Sequence, residues 1–306
     1  MTDIILSTLN ARYAHASLGL RYLRANLAEL HERSVICEFV IGQKTEEIVE
    51  RLLREQPKII GLGVYIWNVD ESTRVVAQLK LIAPEICIVL GGPEVSYEVN
   101  EQRICALADY VITGWGDVSF AQLAKQILDG QSPATRVIAG VQAPLAALQM
   151  PYSEYTEEDL QQRYLYVEAS RGCPFKCEFC LSALDQTAWP FPVQAFLDEL
   201  ESLYARGARQ FKFVDRTFNL KIDASLAVLS FFLDKIAARP DDLPFVHFEL
   251  IPDHLPERLK AAITQFPAGT LQFEIGIQTF DPEVQTRISR RQKNHVAQAN
   301  INQMLE

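Results

Sequence analysis

Short apolar runs and stretches of helical spacing take turns along residues 1–140. The runs are DIILSTLN, VICEFVIG, IIGLGVYI, ICIVLGG and YVITG, each bounded by turn residues. Between them, Leu20, Leu23, Leu27 and Leu30 recur at gaps of three, four and three, which paints one face of a helix. Val75, Val76, Leu79 and Ile82 predict a second helix, and Leu123, Ile127 and Leu128 a third. Strands that are apolar on both faces must be covered on both faces. The alternation therefore predicts an α/β domain with a doubly wound, flavodoxin-like parallel sheet over residues 1–140.

Residues 141–160, VQAPLAALQMPYSEYTEEDL, break that rhythm. Two prolines and an acidic run leave no clean period, and the stretch reads as an interdomain linker. A second alternation follows over residues 161–306. Strand YLYVEAS leads into a cysteine-rich loop and a helix near VQAFLDELESLYARG. Strand QFKFVD, helix ASLAVLSFFLDKIAA, strand FVHFEL, helix ERLKAAITQF, strand LQFEIGIQ and a helix near HVAQANINQML come next. That makes about four βα units of a barrel-like series.

Composition narrows the function classes. A net charge of −10 speaks against broad binding to a phosphate backbone. The one basic stretch, RISRRQKNH at 287–295, reads as a solvated helix end, so no nucleic-acid partner is expected. MTDIILSTLN has no basic leader, and no apolar run approaches bilayer-spanning length, which predicts a cytoplasmic protein without membrane contact. There thiols stay reduced, and clustered cysteines mean metal or catalysis rather than disulfides. Cys37, Cys87 and Cys105 sit singly among apolar neighbours and read as core residues.

Three further cysteines are clustered. SRGCPFKCEFC places Cys173, Cys177 and Cys180 directly after a strand, at the edge where α/β folds bind ligands. A structural zinc site is normally closed by four protein ligands. No fourth cysteine is near, and His247 and His254 fall in a different βα unit. Three thiolates suggest a metal centre with one open position, as iron–sulfur clusters allow. A zinc site completed by a remote histidine and three unrelated thiols are the other readings.

GCPFKCEFC resembles the cluster loop of the radical S-adenosylmethionine (SAM) superfamily. The resemblance implies a [4Fe–4S] cluster on Cys173, Cys177 and Cys180, with SAM on the open iron and reductive cleavage to a 5′-deoxyadenosyl radical. It also places Phe179 by the adenine. In place of the family's Gly-Gly-Glu-like segment the chain has VDRTFN, which makes Asp215 the matching SAM contact, with Arg216 and Asn219 facing the same site. Glu249 of HFELIP holds a strand position where relatives place a polar SAM contact, and alternation puts His247 on its face. Glu274, Gly276 and Gln278 of FEIGIQ share a face by the same rule. GIQ is similar to the segment by which related enzymes approach the SAM ribose or methionyl end, so Glu274 and Gln278 join the SAM set. Buried strand carboxylates are costly unless paired, which favours Glu249 and Glu274 pointing into a cofactor cavity.

In the first domain Gly91, Gly92 and Pro93 follow one strand, and Gly114, Trp115 and Gly116 follow another. Absent side chains let a ligand approach the backbone, while no Walker A or G-x-G-x-x-G sequence calls for a nucleotide. The order of VLGGPEVS, DYVITGWGD, linker and cysteine loop resembles the cobalamin-binding radical SAM class, which includes methyltransferases and ring-forming cyclases. LNARYAHASLGLRYLRANL is similar to that class's first strand and helix. The Asp-x-His-x-x-Gly loop of lower-ligand cobalamin domains is not reproduced: Tyr13 stands at the Asp position and Gly19 falls one residue late after His15. The resemblance thus implies cobalamin without a protein imidazole, its lower face covered by aromatic residues such as Tyr65, Trp67 and Trp115. It further implies a flavodoxin or ferredoxin electron donor and a small-molecule substrate. Against this stand a radical SAM enzyme with a degenerate first domain, and a non-enzymatic iron–sulfur or zinc regulatory protein. Relatives build a partial barrel of six βα units, so a chain stopping after four predicts an incomplete barrel and a truncated protein, with exposed strand edges.

Overall fold

The computed structural model describes residues 2–184 and 188–305. The chain divides into two compact units, residues 1–163 and 164–306. The first contains β1 (Ile4–Asn10), α1 (Leu18–Ala25), β2 (Ser34–Val40), α2 (Thr45–Leu53), β3 (Ile59–Gly63) and α3 (Val69–Ile82). It continues with β4 (Cys87–Gly91), α4 (Arg103–Leu107), β5 (Tyr110–Thr113), α5 (Asp117–Leu128), β6 (Val137–Ala139) and α6 (Glu157–Gln162). The strands form one sheet in the order β2-β1-β3-β4-β5-β6, parallel throughout. This is the doubly wound, flavodoxin-like arrangement, with its topological switch between β1 and β3.

Both faces of the sheet are buried. Ile5, Leu9, Ile60, Leu62, Ile88 and Leu90 pack with Ile48, Leu52, Val75, Val76 and Leu79 of α2 and α3. Ile4, Leu6, Ile59, Val89 and Ile112 pack with Leu20 of α1 and with Phe120 and Leu123 of α5. The helix expected through Leu30 ends earlier: Ala28 takes φ 49°, and Leu30 is carried by a separate 3₁₀ turn over Ala28–Arg33. Ile82, expected on the buried face of α3, is exposed where that helix ends. The lone cysteines pack as expected: Cys37 and Cys105 are buried and Cys87 partly so. Burial pushes the Cys87 thiol up to about 12.

Residues 141–160, read from the sequence as a linker, are packed within the first unit. Leu145, Leu148, Tyr152 and Tyr155 are buried. A buried charge cluster fastens them. Arg21 of α1, only 3% exposed, donates to Glu38 of β2 at 2.9 Å and to Asp159 of α6 at 2.8 Å. Its guanidinium lies 4.7 Å from the centre of the Tyr155 ring, and Arg163 bonds Glu38 at 3.0 Å. Thr156 and Asp159 form a capping box that starts α6. Burial pushes the Asp159 carboxyl up, but Arg21 and the amide and hydroxyl of Thr156 outweigh it, so the group ends below the ordinary aspartate range.

The second unit contains β7 (Leu165–Val167), β8 (Ser170–Arg171), β9 (Trp189–Pro190), α7 (Val193–Ala205), β10 (Gln210–Phe213), α8 (Ile222–Ala238) and β11 (Phe245–Leu250). It ends with α9 (Glu257–Ile263), β12 (Leu271–Ile275), α10 (Pro282–Arg287) and α11 (Asn294–Leu305). Four strands form a parallel sheet in the order β12-β11-β10-β7, and β8 pairs antiparallel with β9. One face of the four-stranded sheet is aromatic. Phe213 meets Phe196 of α7 and Phe232 of α8 edge-on, and Phe218 stacks on Phe248 at 3.9 Å. The same strands turn a polar face the other way, carrying Tyr166, Lys212 and His247 at matched register.

Replacing Arg21 by Met leaves Arg163 as the one basic side chain bonded to two buried carboxylates. We expect a loss of about 3 kcal/mol at pH 7 in urea denaturation. A carboxylate held below its unfolded value of about 3.9 stabilises the fold above that pH and loses the effect as pH falls through its folded value. The difference between the variant and the parent should therefore shrink below about pH 4; a difference equal at pH 7 and pH 3 would contradict the role given to Asp159.

Candidate functional site

Two places gather functional groups, one in each unit. In the first unit the exits of β1, β3, β4 and β5 lie along one sheet edge, where open α/β sheets bind ligands at the switch point. Asn68, fully buried, organises this edge. Its Nδ2 donates to the Leu9 carbonyl at 2.9 Å and to Thr8 Oγ1 at 3.2 Å, and its Oδ1 accepts the Tyr65 amide at 2.8 Å. The Tyr65 and Trp67 rings stack 4.5 Å apart and 8° from parallel. Trp67 Nε1 donates to the Leu9 carbonyl at 3.3 Å, yet the side chain stays 46% exposed.

Gly91 ends β4, and Gly92 has φ +109°, where a Cβ would stand 2.4 Å from the Val64 carbonyl oxygen. Only glycine passes there. Pro93 then opens a 3₁₀ turn whose Ser96 hydroxyl donates to the Gly92 carbonyl at 2.8 Å and accepts the Gly114 amide at 3.0 Å. Trp115 is half-buried, and Gly116 caps α5. The sequence-predicted residues of this domain thus fall on one cross-tied sheet edge. A pinned aromatic pair beside bare backbone fits a large, flat ligand such as a corrin ring.

In the second unit Cys173, Cys177 and Cys180 lie on the loop between β8 and β9. Ser170 pairs with Pro190 and Arg171 with Trp189, so a short antiparallel ladder closes the neck. Glu168 braces it through an ion pair to Arg171 at 2.7 Å. Within the loop the Cys180 amide donates to the Cys177 carbonyl at 3.1 Å. Burial raises the Cys173 thiol, and the nearby Cys180 and Cys177 raise it further. The three cysteines share one loop, although among the described residues no three metal-ligating side chains close around a single ion. A donor set of three thiols on one loop fits an iron–sulfur cluster, a body larger than one ion.

The polar residues assigned to the same site divide by how their atoms are used. Asp215 is buried, its oxygens accepting the Ala169 amide at 2.9 Å and the Ser170 hydroxyl at 2.6 Å. Burial pushes its carboxyl up to about 7, against those two hydrogen bonds. Asn219 also turns inward, bonding the Ile251 amide and the Ile251 and His254 carbonyls at 2.8, 2.9 and 2.6 Å. Asp215 thus ties the cysteine-loop neck to the exit of β10, and Asn219 ties the segment after β10 to the exit of β11. Glu249 and Glu274 occupy paired register positions on the polar face. Arg216 holds Glu249 at 3.1 Å, and Glu274 lies 3.7 Å from His247 Nε2. The expected alternation stops after Glu274: β12 ends at Ile275, and Gln278 has φ 66° outside the strand. Phe179 is 51% exposed on the loop.

The basic stretch at 287–295 is solvent-facing at Arg287, which ends α10, and at Arg291, Lys293 and His295, but Arg290 turns inward. The Glu178 amide donates to the Ile288 carbonyl at 3.0 Å and the Ser289 hydroxyl to Glu178 at 2.9 Å. Arg290 Nη1 donates to Cys177 Sγ at 3.8 Å, Nη2 donates to the Gly276 carbonyl, and the buried Nε has no partner among the described residues. Sequence reasoning missed Arg290 because charge runs usually face water. The one available signal was its position shortly after GIQ, already assigned to the site.

Comparison with known proteins assigns a domain family to each unit. Residues 5–124 match the B12 binding domain, and residues 167–306 match the Radical SAM superfamily. The chain is 26% identical over 245 residues to an uncharacterized methyltransferase of Pyrococcus horikoshii, covering 71% of this chain and 53% of that protein. It is 27% identical over 172 residues to the cobalamin-dependent radical SAM methyltransferase TokK of Streptomyces tokunonensis, covering 48% and 25%. It thus spans about half or less of the length of these relatives. The fold is similar to that of the radical SAM methyltransferase TsrM of Kitasatospora setae, whose solved structure holds cobalamin and a [4Fe–4S] cluster. The TM-score is 0.77 at 16% identity, covering 100% of this chain and 65% of that one. The cobalamin-dependent SAM radical enzyme OxsB follows at TM-score 0.72 and 14% identity, covering 99% and 47%. The two matched domain families are those of B12 binding and of radical SAM proteins. With a B12-binding domain followed by a radical SAM domain, the chain belongs to the cobalamin-binding radical SAM superfamily.

Proposed function

We propose that this protein is a cobalamin-dependent methyltransferase that uses reductive cleavage of SAM to methylate a small-molecule substrate. When bound, the cluster supplies the electron that cleaves SAM, and cobalamin carries the methyl group. The observation that carries this reading is the cysteine loop: three thiols on one loop closed at its neck and cation-braced at Cys177.

On this reading Cys173, Cys177 and Cys180 hold the cluster, and Phe179 lies by the adenine of SAM. Glu249, Glu274 and Gln278 supply polar contacts to SAM. Asp215 acts behind the loop rather than on SAM, because its oxygens already hold Ala169 and Ser170. Arg290 contributes positive charge beside a cluster sulfur and one unused N–H, which suits an anionic group brought to the cluster. In the first unit Tyr65, Trp67, the Gly91–Pro93 turn and the Gly114–Gly116 turn hold the corrin. The electron donor is a small flavodoxin or ferredoxin.

Anaerobically purified protein should be brown, with about four irons per chain, and Cys177→Ala should lose most of that iron; unchanged iron and colour would refute the cluster. Arg290→Gln should keep the iron but lower the cluster's reduction potential, because a positive charge beside the sulfur favours the electron-rich state. The reduced-to-oxidised ratio at a fixed poise should fall roughly tenfold, about 59 mV for one electron. Reconstitution with hydroxocobalamin should leave a retained corrin spectrum, and Trp67→Ala should weaken retention several-fold without changing iron content. Absence of any retained corrin would favour a radical SAM enzyme whose first domain binds no cobalamin.

A further inference from the structure

The polar face of the second sheet holds two cationic or proton-bearing groups that no step above uses. Tyr166, Lys212, His247 and Gln272 occupy matched register positions on β7, β10, β11 and β12. Neighbouring strands lie about 4.8 Å apart, so residues at matched positions are adjacent and point the same way. Phe213, Phe248 and Phe273 lie on the opposite, aromatic side.

Lys212 is half-buried and makes no hydrogen bond or ion pair with any described residue. His247 is 5% exposed, and its buried Nδ1 has no partner among the described residues. The carboxylates on this face are engaged elsewhere: Glu249 with Arg216 at 3.1 Å, and Glu274 on the other ring nitrogen of His247, at 3.7 Å from Nε2. Burial lowers the His247 pKa and the charge of Lys212 lowers it further, with Glu274 opposing. The two side chains are thus close enough to interact. A buried imidazole nitrogen without a partner is unfavourable, and one anionic acceptor satisfies it together with the Lys212 ammonium.

We propose that Lys212 and His247 form an anion subsite, and that the substrate carries a carboxylate or phosphate group which this pair holds. The subsite rests on the methyltransferase reading above and adds the substrate's chemical class. With the imidazole proton on Nδ1, the form that an anion at that nitrogen selects, His247 and the Lys212 ammonium are two donors on adjacent strands that grip a group with at least two acceptor oxygens, which fixes orientation as well as position. A neutral substrate would leave both donors unmatched.

Equilibrium dialysis of the cluster-loaded full chain against radiolabelled inorganic phosphate, and separately acetate, tests this. At least one probe should bind at one site per chain. Lys212→Met, which keeps the aliphatic stem, and His247→Gln should each weaken that binding at least tenfold, whereas Arg287→Gln, on the exposed end of α10, should leave it unchanged. Which probe binds more tightly distinguishes a phosphate-bearing from a carboxylate-bearing substrate. Because the two substitutions lie on different strands, either decides the matter if the other variant fails to fold. Failure of both probes to bind, or binding indifferent to both substitutions, would overturn the subsite. Iron content and corrin retention measured on the same samples keep that outcome separate from failure of the cofactor reading.

Discussion

Parallel pairing constrains everything else in this protein. A parallel strand cannot return through a tight turn, so each is followed by a crossover that brings the chain back along the outside of the sheet. Strand exits therefore collect at one edge of each sheet, and the loops there are free to carry chemistry while the strands are locked by burial. The cysteine loop opens just after β7, and Glu249 and Glu274 lie near the exits of β11 and β12. In the first unit Tyr65, Gly92 and Gly114 follow β3, β4 and β5 in the same way. Catalytic variety rests on loops; their placement rests on the ladder.

Loops at a sheet edge hold a cofactor only if their backbones are tied down, and both units do this with buried polar side chains. Asn68 bonds the exits of β1 and β3, and Ser96 joins those of β4 and β5. In the second unit Asp215 holds the cysteine-loop neck, and Asn219 holds the exit of β11. Each spends its hydrogen-bonding capacity on main-chain groups that would otherwise be unsatisfied. These residues resemble ligands in the sequence because they are polar and lie after strands. Their role in the fold is to hold the backbones of these loops in place.

Charge is distributed unevenly around this framework. The net charge of −10 belongs to the surface as a whole, while individual cations are placed inward. Arg21 is buried among two carboxylates and a tyrosine ring, which fastens residues 141–163 to the first unit. Arg290 lies against Cys177, and Lys212 holds the register position beside His247 on the polar face of the second sheet. Overall charge is a statement about solubility and long-range partners. It says little about the field at a cluster sulfur or at a substrate group.

Periodicity and local motifs carried the fold class, the parallel sheets and the three thiols, since burial on two faces and spacing within a loop are properties of adjacent residues. The same local information misread Leu30 as part of a continuous helix, because a single left-handed residue at Ala28 breaks the helix without disturbing the leucine spacing. It read residues 141–160 as a linker, although Asp159 meets Arg21 from 138 positions away. It also took the whole 287–295 run for solvent-facing charge, which holds for Arg287, Arg291 and Lys293 but not for Arg290, which reaches back 113 positions to Cys177. Which polar atoms face a cofactor and which are consumed by the backbone, as at Asp215 and Asn219, depends on distances across strands. A pattern along the chain records which side chains are apolar. It carries no record of which distant donor a buried acceptor will meet, and that was settled only when the strands came into register.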